Sequence, residues 1–311
     1  MKVTIVGTGN VGATLAYVVT LEGLADQLVL LNRDRRKAAG HAMDLQHTAS
    51  MVRHPVRVTS GELNDSARSD VVVFTISVPM DRTNPNRRAL ASGNALLLRE
   101  WIPALAEASP DAVFLIVTNP VDVMTWATLQ LTKLPPERVC GIGTLVDSAR
   151  FRAMLSQELG IHPEDIRAYI LGEHGQSQVA AIGEVWVGGE QLDESLEKAR
   201  EFAQITTGSG IDVFNLKGYT NFAVAKATAV VLETIQHDQR HTMPLSVLVD
   251  GYCGVDDVCL SVPVVVGRAG VTRRLHPDLA EDEVAAFRWS AEQVRQSNQQ
   301  ILPILNNPTE E

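Results

Sequence analysis

The chain has 311 residues, 45% of them hydrophobic and 21% charged, so it has ample apolar surface for a core and more length than one small domain needs. A net charge of -10, spread without acidic or basic blocks, favours solubility and argues against nucleic acid as a partner, because polyanion binding demands a basic surface. No apolar run approaches the ~20 residues of a membrane span, and MKVTIVGTGN enters a strand and a glycine turn at once, leaving no room for a secretory leader. The expectation is a cytoplasmic protein with no membrane partner. Cys140, Cys253 and Cys259 form no C-x-x-C pair and read as reduced core thiols.

The first strand, Val3–Val6, runs into Gly7, Gly9 and Gly12 in G-x-G-x-x-G spacing at the start of a helix over Gly12–Gly23. Gly7 suits the tight turn, Gly9 a close backbone approach to a pyrophosphate, and Gly12 close helix-to-strand packing. The helix N-terminus offers unpaired N–H groups to the phosphates. Gly7, Gly9, Asn10, Val11 and Gly12 are therefore candidate cofactor-binding residues, and a tight turn that binds nothing is the competing reading.

A second strand, Leu28–Leu31, ends in Asn32-Arg33, about twenty residues beyond the last glycine, where the adenosine ribose is met. An acid there accepts from the 2′-hydroxyl of NAD. Asn32 and Arg33 instead offer an amide donor and a guanidinium fork suited to the 2′-phosphate of NADP. Asp34 partly offsets that positive charge, and a solvated helix start with Asn32 on the ribose hydroxyls is the alternative. The cofactor is expected to be NAD or NADP. Apolar runs at Val71–Phe74, Val113–Val117 and Val139–Ile142 alternate with helical segments at Arg35–His47, Leu90–Ala108 and Val121–Leu131. Strands apolar on both faces between helices imply a Rossmann-type doubly wound parallel sheet, α/β in class, over residues 1–145.

From residue 146 to residue 311 the rhythm changes. A helix at Ser148–Leu159 leads to extended runs at Gln178–Val187, Leu245–Val249 and Cys259–Val266, with amphipathic helices at Leu192–Ile205, Asn221–Gln236 and Glu281–Ile301. This half is expected to be an α+β substrate domain. LGEHGQS sets His174 between two glycines, a side-chain-poor frame that suits a ring meeting a small substrate, although a lone histidine is more often structural. His237-x-x-x-His241 has metal-ligand spacing, but no third ligand is in view, so no metal is expected.

The segments VTNPVDVMT, GIGTLVDSARFR and LGEHGQS, in this order after an N-terminal glycine loop, closely resemble the L-lactate/malate dehydrogenase family of 2-hydroxy acid dehydrogenases. AMDLQHT, NLKGYTNFAVA and VPVVVGRAGV extend the resemblance along essentially the whole chain. It implies hydride transfer between NAD(P)H and a small 2-oxo acid, giving an L-2-hydroxy acid, by a homodimer or homotetramer. It also implies that His174 is the proton donor and acceptor, that Asp147 orients its imidazole, and that Arg150 takes the substrate carboxylate in a bidentate pair. Asn119 would lie between nicotinamide and substrate, and Thr220 in the substrate pocket, where threonine is the lactate-type residue.

The family's substrate loop carries a Gln in lactate enzymes or an Arg in malate enzymes, followed by the arginine that polarises the carbonyl. Here TISVPMDRTNPNRRALASGN lacks the usual glycines and has one extra residue. Counting back from Asn94 makes Arg87 the polarising residue; counting forward from Arg82 makes it Arg88, and the helix that holds Asn94 is the firmer anchor. The specificity position is Met80, Asp81 or Arg82, of which Arg82 would suit a dicarboxylate. Gln176 also replaces the aspartate common after the histidine motif. The rival class is a dinucleotide-binding sensor that kept the fold while its lid degenerated.

Overall fold

The computed structural model describes residues 1–79, 90–192 and 196–306. The first half contains β1 (Lys2–Val6), α1 (Asn10–Glu22), β2 (Gln27–Leu31), α2 (Arg35–Ala49), β3 (Arg57–Ser60), β4 (Val71–Phe74), α3 (Ala91–Ala108), β5 (Val113–Ile116), α4 (Val121–Leu131) and β6 (Val139–Gly141). The six strands lie parallel in the order β3-β2-β1-β4-β5-β6, the doubly wound arrangement. β4 and β5 are buried at every position, as Val, Ile, Leu and Phe covered on both faces must be. Helix α1 stops at Gly23, whose φ of 67° is the left-handed conformation that glycine adopts freely. Strand β3 was not legible in the sequence, because only Val58 of its four residues is buried and it lies on the sheet edge.

The second half adds α5 (Leu145–Leu159), the two-residue strands β7 (Ile166–Arg167), β8 (Ile170–Leu171), β9 (Val179–Ala180), β10 (Trp186–Val187) and β11 (Glu190–Gln191), then α6 (Leu196–Lys217), α7 (Phe222–His237), β12 (His241–Val249), β13 (Val258–Gly267), β14 (Gly270–Arg274) and α8 (Glu281–Asn306). The extended run expected over Gln178–Val187 is broken between β9 and β10 by a turn at Ile182–Glu184. There the Ile182 N–H donates to the Glu283 carboxylate at 2.7 Å instead of to a neighbouring strand.

The hairpin strands do not build a sheet of their own. β12 pairs antiparallel with β6 at Ser246 and Gly141, so one nine-stranded sheet runs from β3 to β14. Gly141 permits the contact: a Cβ there would lie 2.5 Å from Thr125 Oγ1 and 3.1 Å from Ser246 Cβ. The main apolar core spans both halves, and a smaller cluster around Phe151, Leu155 and Ile166 packs beneath α6. His237 closes α7 while His241 opens β12, so the two histidines do not share a helical face. All three cysteines are free, and among the described residues no helix is long and apolar enough to cross a membrane.

Candidate active site

The glycine loop joins β1 to α1 at the point where the strand order reverses between β1 and β4, where open α/β sheets bind ligands. Its first and third glycines are packed shut. Gly7 has φ 106°, and a Cβ on Gly12 would come within 1.9 Å of the Gly7 carbonyl oxygen. The Thr75 hydroxyl donates to that same oxygen at 2.9 Å and fixes the turn. Gly9 differs: a Cβ there would meet nothing within 4 Å, and the residue lines a cleft of about 480 Å³. Gly9 is also the N-cap of α1 and supplies no side-chain hydrogen bond to the first-turn amides. Open backbone beside free helix N–H groups is a cradle for a pyrophosphate.

Asn32, Arg33 and Lys37 line the far end of this cleft, with no acidic residue among the described residues of its walls. The Asn32 amide donates to Thr8 Oγ1 at 2.9 Å. The carboxylate of Asp34 is engaged elsewhere, capping α2 by accepting from the Lys37 N–H at 3.1 Å. Arg35 is ion-paired with Glu62. Asp34 is therefore not aimed at the ribose position, and the local positive charge belongs to Arg33 and Lys37. Lys37 joins Arg33 through the fold and not through helical spacing, because Arg33 lies ahead of the extended N-cap Asp34 while Lys37 stands in the first turn of α2.

At the other end, α5 and the loop after β8 bring together a carboxylate, an imidazole and a guanidinium, a set capable of acid–base chemistry. Asp147 is 3% exposed and sits in the first turn of α5. One of its oxygens meets His174 Nδ1 at 2.5 Å; the other accepts from Arg150 Nη1 at 3.0 Å. Asp147 thus directs both groups, and with Nδ1 so engaged, Nε2 of His174 is the nitrogen able to exchange a proton with a ligand. His174, Arg150, Asn119 and Thr220 together line a smaller cavity of about 70 Å³, walled otherwise by Ile142, Val146, Ala223 and Val224. Asn119 Oδ1 is buried without a hydrogen-bond partner, while Asn119 and Thr220 also line the large cleft. An orphaned acceptor at that junction fits an amide-bearing ring and costs free energy until met.

Three consecutive amides hold the histidine loop to three elements. The Gly172 N–H donates to Ser261 O on β13 at 2.9 Å, the Glu173 N–H to Ser290 Oγ on α8 at 2.8 Å, and the His174 N–H to Asp122 Oδ2 on α4 at 2.7 Å. Asn94, 0% exposed on α3, accepts from the Val78 N–H at 2.8 Å and donates to Asn119 O at 2.6 Å. In the sequence Asn94 serves only as a counting anchor, and Asp122 and Ser290 suggest no role of their own. Nothing short of the folded contacts marks such residues.

Two family models match most of the chain: lactate/malate dehydrogenase, NAD binding domain, over residues 1–141, and lactate/malate dehydrogenase, alpha/beta C-terminal domain, over residues 144–303. The chain belongs to the lactate/malate dehydrogenase family. It is 39% identical over 301 residues to an L-lactate dehydrogenase of Synechococcus sp. strain JA-3-3Ab, covering 95% of this chain and 98% of that protein. With the L-lactate dehydrogenase of Salinibacter ruber it is 36% identical over 305 residues, covering 95% and 96%. Among solved structures, the ligand-bound minor L-lactate dehydrogenase of Enterococcus mundtii superposes with a TM-score of 0.91 at 29% identity, covering 96% of this chain and 98% of that one. A lactate dehydrogenase from a Medee basin deep-sea metagenome matches equally well. The fold and the family function expected from the sequence both hold: this is a dehydrogenase of the lactate/malate type, an oxidoreductase acting with NAD on small 2-oxo and 2-hydroxy acids, and not a degenerate sensor. Met80, Asp81, Arg82, Arg87 and Arg88 lie outside the described residues.

Proposed function

We propose that this dehydrogenase reduces pyruvate to L-lactate, that it accepts NADP(H) as well as NAD(H), and that residues 1–145 hold the cofactor while residues 146–311 carry the substrate chemistry. The coupling of His174 to Asp147, with Arg150 on the same carboxylate, carries this reading. Bound NAD(P)H supplies the hydride to the carbonyl carbon. His174 Nε2–H gives its proton to the carbonyl oxygen as that hydride arrives, and Asp147 holds the Nδ1–H and stabilises the imidazolium when the reaction runs from the alcohol. Arg150 spends one Nη on Asp147 and keeps its remaining donors for the substrate carboxylate. Asn119 faces nicotinamide and substrate together, and Arg87 polarises the carbonyl.

The apolar walls beside Thr220 support a methyl-sized substrate side chain. Arg82 in the specificity position would favour oxaloacetate instead. The turning of the Asp34 carboxylate onto the Lys37 N–H, which leaves Arg33 and Lys37 as the charged groups lining that end of the cleft, supports room for a 2′-phosphate. The exposed Met43, Leu216 and Phe222, at 65%, 88% and 71%, support burial against further copies of the chain, as a dimer or tetramer. The free thiols suit a cytoplasmic location.

The test is turnover of purified protein with NADH and with NADPH against pyruvate, oxaloacetate and bulkier 2-oxo acids. The expected result is fastest turnover of pyruvate with both cofactors. Preference for oxaloacetate would move the assignment to a malate type, and turnover with NADH alone would overturn the NADP reading. A monomer by light scattering at micromolar concentration would overturn the assembly.

A further inference from the structure

The His174 N–H is held by a carboxylate that the acid–base chemistry above leaves unused. Asp122 stands in the first turn of α4, three residues after Asn119, and is 2% exposed. Its Oδ2 accepts from the His174 amide at 2.7 Å, while its Oδ1 is buried with no hydrogen-bond partner. Among the described residues, the groups that face it offer no counter-ion. From the histidine loop it faces the Glu173 carboxylate, from β12 the Ser246 hydroxyl, which lies beside it without a formed hydrogen bond, and from β13 the buried thiol of Cys259. Burial pushes the Asp122 carboxyl up to about 7. A carboxyl buried without a cation is costly, so one placed on the backbone of the proton-transfer residue calls for a functional reason.

We propose that Asp122 is a positioning residue for catalysis: by holding the His174 amide from the same turn that presents Asn119, it fixes the imidazole relative to the nicotinamide site across the boundary between the two halves. The proposal rests on His174 being the proton-exchanging group. The turn Asn119–Asp122 then acts as a ruler with two ends. Asn119 faces the cleft and Asp122 grips the histidine loop, so the distance between hydride and proton delivery is set by one short stretch of backbone. Near-attack geometry tolerates little slack, and a displacement of about 1 Å costs on the order of a hundredfold in rate. Either protonation state of Asp122 can serve, because a neutral carboxyl still accepts through one oxygen.

The experiment compares Asp122→Ala with Asp122→Asn, whose amide oxygen can still accept from the His174 N–H. Steady-state kinetics are read alongside NADH affinity by fluorescence titration and the midpoint of the pH profile of kcat/KM. The expected result for Asp122→Ala is a kcat lowered at least tenfold, a shifted pH midpoint and NADH affinity within twofold of the parent. Asp122→Asn should recover most of that loss. If the alanine variant does not fold by circular dichroism, Asp122→Val takes its place. Parental kcat and pH midpoint in the alanine or valine variant overturn the proposal. So do equal losses in the apolar and asparagine variants with weakened NADH binding, which would mark a merely structural residue. His174→Asn separates the two readings: full turnover in that variant would overturn the role of His174 itself, whereas its inactivity beside an unimpaired Asp122→Ala would overturn only the positioning role.

Discussion

The two ends of the cofactor cleft are built on opposite principles. At the catalytic end the polar groups interlock around a buried carboxylate: Asp147 serves both His174 and Arg150, and three successive amides tie the histidine loop to β13, α8 and α4. At the adenosine end Arg33 and Lys37 are exposed cations, and Asn32 donates to Thr8 Oγ1 at 2.9 Å. A site that must place a proton to a fraction of an ångström uses interlocked partners, so any single change propagates. A site that only recognises a charge uses surface side chains that can be exchanged one at a time. Cofactor choice can therefore drift while the chemistry stands still.

Breaking the interlocked end should give the largest effect. His174→Asn is expected to lower kcat by about 10²–10⁴-fold, the usual weight of a positioned acid–base group, with NADH affinity by fluorescence titration unchanged. Arg150→Lys keeps the charge but loses the planar fork, so kcat/KM for pyruvate should fall by roughly 10²-fold, mostly through KM. The same variant should free Asp147 from its second partner. Retention of parental KM in Arg150→Lys would remove Arg150 from carboxylate binding.

Changes at the exposed end should be smaller and should sort by cofactor. Arg33→Ala and Lys37→Ala are each expected to raise the KM for NADPH about tenfold and that for NADH less than twofold, corresponding to roughly 1–2 kcal/mol for a partly solvated phosphate contact. Asn32→Asp should reverse the preference by setting a carboxylate against the 2′-phosphate. Equal effects on the two cofactors would show that these cations serve the helix start alone.

The smallest effect is one of stability. Asp122 has a folded pKa of about 7, above the ~3.9 of an unfolded aspartate, so the native state holds the extra proton between those values. Its contribution to stability is complete below about pH 4 and is lost as pH rises through 7. The drop in Tm between pH 5 and pH 8 should therefore be steeper in the parent than in Asp122→Asn, by roughly 2–5 °C. An equal drop in both would place the titration elsewhere.

Most of the architecture was legible because the strands near the centre of the sheet are apolar on both faces and the glycine loop follows one of them directly. Val71–Phe74 announces itself; Arg57–Ser60, on the edge with one buried residue, does not. His174, Asp147 and Arg150 could be named from their motifs, yet their contact spans 27 residues of sequence and only the fold brings it to hydrogen-bond distance. Lys37 was not legible as a neighbour of Arg33, because Arg33 lies ahead of the N-cap Asp34 and the two share no helical face. Asp122, Asn94 and Ser290 were invisible, because a residue that works by gripping another segment's backbone leaves no pattern in its own. Asp34 was legible as a charge, but its direction was not, since capping α2 turns it away from the cleft.

The single register pair between Ser246 and Gly141 has a mechanical meaning. It welds the parallel strands of the first half to the antiparallel hairpin of the second, leaving the backbone no free hinge line between them. Heat should therefore melt the protomer in one step, with the two halves failing together. A side chain larger than hydrogen at position 141 would act as a wedge driven into that weld, splitting one calorimetric transition into two.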